Sequence, residues 1–111
     1  MFGLFDSPSK VIRKRVPKEH HITITMIEAY AETKLNQMPR KNLEMAIGLI
    51  LSVWAINSHA HGVFDLSDFN YRYIYNFGPN CYKRLSFYEQ ELSTQVLDEL
   101  IEKDIILREA A

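Results

Sequence analysis

Apolar residues recur at helical spacing through most of this chain, with polar residues filling the positions between them. Ile27, Tyr30, Ala31, Leu35 and Met38 follow one such period. Thr25 stands three residues before Glu28, the capping-box spacing that satisfies orphan amides at a helix start. Pro39 stops this helix or sits in the first turn of the next. Residues 41–61 predict the central helix. Leu43, Ala46, Ile47, Ile50, Leu51, Val53, Trp54 and Ile56 are apolar nearly all round its middle, as in a helix covered on several sides. Gly62 suits the position past its end, with Val63 available for the contact of that cap. Near the C-terminus, Ser86, Phe87, Tyr88 and Glu89 open a last helix, and Leu92, Val96, Leu97, Leu100 and Ile101 give it one apolar face. Lys103 and Asp104 break it, and Ile105, Ile106 and Leu107 read as a short strand. Residues 21–25, where Ile22 and Ile24 alternate with polar neighbours, read as another.

Two regions are less regular. Phe69, Tyr71, Tyr73, Tyr75 and Phe77 fall at every second residue, the period of a strand. As a helix they form two stripes, one of Phe69, Tyr73 and Phe77 and one of Tyr71 and Tyr75. Asp65 or Ser67 can cap a helix here, and Gly78, Pro79 and Asn80 can close either element. Helix over residues 66–75 is the preferred reading. Residues 1–20 hold Pro8, Pro17 and five basic residues without a sustained period, and are expected to be a flexible basic arm before a single domain over residues 21–111. The expected fold is mainly α with a small β component.

Composition narrows the class. The chain has 111 residues, 47% of them hydrophobic, enough for one domain with a core. A single cysteine, Cys81, cannot form an internal disulfide. The apolar start lacks the order of a secretory signal, and the longest apolar run, residues 46–56, falls short of the ~20 residues needed to span a bilayer. A cytoplasmic protein without a membrane span is expected. A membrane-surface arm of Phe2, Leu4, Phe5, Val11 and Ile12 is disfavoured by Pro8, which interrupts a helix there. Net charge is −1 overall, but residues 1–20 carry +3 and residues 85–111 carry −5.

The stretches GVFDLSDF and STQVLDELIEKDIILRE resemble the entry to the second helix and the third helix with first wing strand of winged-helix domains. The resemblance covers roughly the last 65 residues. It implies binding to double-stranded DNA through the third helix. Here that helix, residues 87–103, has five acids and one lysine, whereas phosphate contacts require Lys and Arg. Any DNA contact is therefore expected from Arg13, Lys14, Arg15, Lys18, Arg40, Lys41, Arg72, Lys83 and Arg84. Asp104 stands where glycine is usual in the turn.

The leading expectation is a small non-enzymatic, DNA-binding or DNA-associated winged-helix-like regulator, with a homodimer possible. The alternative is a protein-interaction module for a basic protein partner, using Tyr71, Tyr75, Glu91, Asp98, Glu99 and Glu102. His20, His21, His59 and His61 are the only candidate metal ligands of their type, but neither pair has zinc-finger spacing. No metal and no cofactor are expected. No Gly-rich phosphate loop occurs, and Cys81 has no base beside it in sequence, so a structural thiol is expected and catalysis is not.

Overall fold

The longest apolar stretch becomes α3, Arg40–Ala60, and the other helices are laid round it. The structure, a computed structural model, describes residues 6–109. The apolar start, residues 1–5, lies outside the described residues. Before α3 come α1, Pro8–Arg13, a 3₁₀ turn, Lys18–His20, and α2, His21–Lys34; after it come α4, Asp68–Lys83, and α5, Phe87–Glu102. The fold is mainly helical, and the described residues contain no strand.

Burial follows from the apolar positions. Ala46, Ile50, Leu51 and Ala55 of α3 are wholly buried, with Ile24, Ile27 and Ala31 of α2, Ile74 of α4 and Leu100 of α5. α3 is long and apolar enough in composition to cross a membrane, but 67% of that stretch is covered by the other helices. Two glycines allow the close approach. A Cβ on Gly48 would lie 2.7 Å from the Pro8 Cβ and 2.9 Å from the Cys81 Sγ, so α1, α3 and α4 meet there. A Cβ on Gly78 would lie 2.9 Å from the Ser52 Cβ. Gly62 has φ +72° at the end of α3, and the Val63 N–H donates back to the Ser58 carbonyl, as the predicted cap requires.

Several expectations are corrected. Residues 8–20 are not a loose arm: Val11, Ile12 and Val16 are buried, and Pro8 is buried against α3. Ser7 caps α1 and Pro8 stands at its first turn, where a missing N–H costs nothing. Residues 21–25 are the first turns of α2, not a strand, because Ile24 and Ile27 share the buried face with Ala31. Thr25 donates back to the His21 carbonyl instead of capping, and Glu28 is engaged by α1.

α4 is a helix, capped by Ser67, and it runs through Gly78 and Pro79 to Lys83. Gly78 is there for the crossing with Ser52, not for a turn, so the expected stop at residues 78–80 does not occur. α5 begins where expected, and Ser86 and Glu89 form a capping box there. Just past its end Asp104 takes φ +61°, after which the Ile105 and Ile106 N–H groups both donate to the Leu100 carbonyl. Residues 105–107 form no strand, since the described residues offer no strand to pair with them. They are a strap: Ile106 is buried, the Leu107 carbonyl accepts from Asn57 Nδ2 at 2.8 Å, and His61 Nε2 lies 2.6 Å from the Arg108 carbonyl.

A candidate interaction groove between α4 and α5

α4 and α5 both pack on α3, and they meet each other near their junction, where Gln90 Nε2 donates to the Tyr82 carbonyl at 3.0 Å. Between them a strip of α3 stays open. Leu49, Val53 and Ile56, at i, i+4 and i+7, form the floor of a groove of about 570 Å³. Tyr75, Pro79 and Tyr82 of α4 make one bank, and Leu97 and Ile101 of α5 make the other. The lining is predominantly apolar, and Glu109 at its edge is the one charged residue in it.

The helical register explains this. On α5, Val96 and Leu100 point into the core, while Leu97 and Ile101 stand one position round and are partly buried. On α4, Ile74, Phe77 and Cys81 face α3, leaving Tyr75 59% exposed and Tyr82 38% exposed. Tyr75 stacks on Tyr71 at 5.9 Å, and Tyr71 in turn packs on His59 at 5.2 Å. Pro79 has no N–H, so the Tyr75 carbonyl lacks its usual helical donor. A smaller recess of about 280 Å³ shares Tyr82 and carries the apolar surface on to Phe87, which is 77% exposed.

The other side of α4 has different chemistry. There a cleft of about 650 Å³ is lined by Tyr73, Asn76, Asn80, Lys83 and Arg84, with Met45, Phe77 and Cys81 beneath. Cys81 is buried, and burial pushes its thiol up to about 12, against a smaller opposing effect of the Arg84 charge. Such a thiol is protonated near neutrality and a poor nucleophile.

The nine cations expected to contact DNA are not one surface. Arg13 donates to Glu28 at 2.6 Å and to Thr25 at 2.9 Å. Lys14 donates to Asp6 at 2.6 Å, and this bond holds the Asp6 carboxyl below its ordinary range. Arg15 lies 3.7 Å over the Tyr73 ring and donates to the Val11 carbonyl. Arg40 is shared between Glu32 and Glu44. Lys18, Lys41, Arg72 and Lys83 are exposed and make no ion pair among the described residues. Of the nine, Lys83 and Arg84 come together on the cleft.

The residues expected at a protein interface divide differently. Tyr75 lines the groove and Tyr71 supports it. Glu91 lines the recess, and Asp98 and Glu102 are exposed on α5. Glu99 is committed to the fold: Tyr30 donates to it, which lowers its pKa and raises that of Tyr30, and Lys34 lies 3.6 Å away. Val53, Ile56, Leu97 and Ile101 were legible only as apolar positions. Their partial exposure depends on the gap between α4 and α5, which no local pattern reports.

The histidines act within the fold. His59 Nδ1 accepts from the Leu66 N–H at 3.0 Å, His21 Nε2 lies 3.1 Å from the Val16 carbonyl, and His20 packs on Phe64. Among the described residues no three His, Cys, Asp or Glu side chains are grouped to hold a metal ion. No family model, no curated protein and no solved structure matches the chain.

Proposed function

We propose that this chain is a protein-interaction module and that the groove between α4 and α5 is its binding surface. The observation that carries the proposal is the floor. α3 is covered on its other sides, yet Val53 and Ile56 stay partly exposed at the bottom of an apolar slot. Contiguous apolar surface of this kind costs free energy in water and marks sites that a partner covers. Tyr75 and Tyr82 on the bank supply large contact area with few rotamers to freeze. The test is selection from a displayed library of random peptides. Binders that Tyr75→Ala and Ile101→Ala release support the reading, and a selection yielding only peptides indifferent to both substitutions sinks it.

A second reading, association with double-stranded DNA, rests on the cleft across α4. Lys83 and Arg84 there stand beside Asn76, Asn80 and Tyr73, a mixture suited to phosphate and base. In this reading α3, α4 and α5 stand for the three helices of a winged-helix-like domain, with the contact moved off the acidic α5. It predicts duplex binding that weakens steeply with salt and with the double change Lys83→Ala and Arg84→Ala. Anisotropy titration of a labelled random duplex at two salt concentrations measures this, and binding unaffected by either removes it.

A further inference from the structure

We infer that the occupant of the groove is an amphipathic helix with basic flanks, supplied by a partner protein. The inference rests on the groove being the binding surface and adds the chemistry of what fills it.

Backbone chemistry points to a helix. The floor and both banks are α-helices whose backbone groups, apart from the Tyr75 carbonyl that Pro79 leaves without its donor, are spent on their own hydrogen bonds, and the described residues offer no strand edge to an extended peptide. An extended segment laid in this apolar slot would lose hydration from its N–H and C=O groups without gaining partners. A helix brings its backbone already satisfied and presents only side chains. The spacing also fits. Leu49, Val53 and Ile56 span two turns of α3, about 10 Å, which matches anchors at i, i+3 or i+4, and i+7 on a helix lying along them.

Charge selects the flanks. Glu109 lies in the lining, and Asp98 and Glu102 are exposed beside Leu97 and Ile101 on the same helix; none of the three forms an ion pair among the described residues. Glu91 extends the acidic series to the adjoining recess. Lys83 and Arg84 line the opposite side of α4 and do not offset these acids in the groove. Lys or Arg beside the apolar stripe of the partner would meet this rim, while acidic flanks would be repelled.

The test uses the full chain and three fluorescent peptides of roughly 18 residues, long enough to form helix on binding. One has Leu at the anchor positions and Lys on the flanks, one has Glu in place of Lys, and one is a shuffle of the first that destroys the apolar stripe. Anisotropy titrations are expected to show the Lys peptide binding at least about tenfold tighter than either other peptide. Tyr75→Ala, at an exposed position, is expected to weaken it. The double change Asp98→Lys and Glu102→Lys is expected to shift preference toward the Glu peptide. Equal or tighter binding of the Glu or shuffled peptide, still lost in Tyr75→Ala, would overturn the inference while leaving the groove a binding surface. Binding by none of the three, or binding that Tyr75→Ala leaves unchanged, would overturn the inference and count against the groove itself. Self-association of the chain that Tyr75→Ala abolishes would replace the helix by a second copy and also overturn it.

Discussion

The two sides of α3 use the same kinds of residue for opposite ends. On the side of α1 and α2, charged groups are turned onto partners within the fold: Arg13 holds Glu28, which Ser9 also reaches, and Tyr30 and Lys34 of α2 hold Glu99 of α5. Arg15 is stacked on Tyr73 with its Nε buried and without a hydrogen-bond partner. On the side of α4 and α5, Glu91, Asp98 and Glu102 are exposed and form no ion pair among the described residues, beside aliphatic side chains that are partly buried. Charge spent within the fold contributes cohesion, and charge left beside an apolar slot is available for recognition. Counting residues along the chain cannot separate these uses, because both sides mix aromatics with ions.

The largest break in this contrast comes from Ile12, which is wholly buried although it lies among the basic residues of the N-terminal segment. Ile12→Ala is expected to cost about 2–5 kcal/mol, as truncation of a core aliphatic does. Urea unfolding measures it, and a cost near zero would return residues 8–20 to a loose arm. Gly48→Ala comes next, at about 1–3 kcal/mol, because its Cβ would press on Pro8 and Cys81. The same measurement on Tyr75→Ala, at the groove, is expected to show a change within about 0.5 kcal/mol, as for surface positions generally.

The charges give a finer version of the comparison. Glu28→Gln is expected to destabilise by about 1 kcal/mol, since Arg13 and Ser9 both donate to that partly buried carboxylate. Glu91→Gln and Glu102→Gln are expected to leave the unfolding midpoint in place while changing affinity for a basic peptide. The smallest effect is in pH. Glu99 titrates below its ordinary value of 4.5 in the fold, so its contribution is present above that value and is lost as pH falls. Tyr30 titrates above its ordinary value of 10.0, so its contribution is complete below that value and is lost as pH rises. Tyr30→Phe is expected to flatten both ends of the profile of thermal midpoint against pH, and an unchanged profile would show that this bond contributes nothing in solution.

The helices α3 and α5 were legible because their apolar positions keep one period over many turns and their ends carry Gly62, Ser86 and Glu89. The misreadings lie where one residue type serves two purposes. Gly78 and Pro79 look like a turn, yet the glycine makes room for Ser52 and the helix continues. Thr25 and Glu28 have capping-box spacing, but the first turn is already built by His21, and Glu28 answers a cation from another helix. Ile22 and Ile24 alternate like a strand because Ile22 is a 71% exposed residue outside the buried stripe. Within the groove, Tyr75 was visible as an aromatic outside the core period. Val53, Ile56, Leu97 and Ile101 were not separable from core, since their exposure is set by how far apart α4 and α5 lie.

The proposed meeting point with a partner is the groove, and not the cleft across α4. The most direct measurement is a ¹⁵N–¹H correlation titration of the full chain with the Lys-flanked amphipathic peptide. Shifts are expected to concentrate at Val53, Ile56, Tyr75, Tyr82, Leu97 and Ile101, with Asn76, Lys83 and Arg84 little changed. Shifts centred on Asn76, Lys83 and Arg84, or none at the groove, would contradict this.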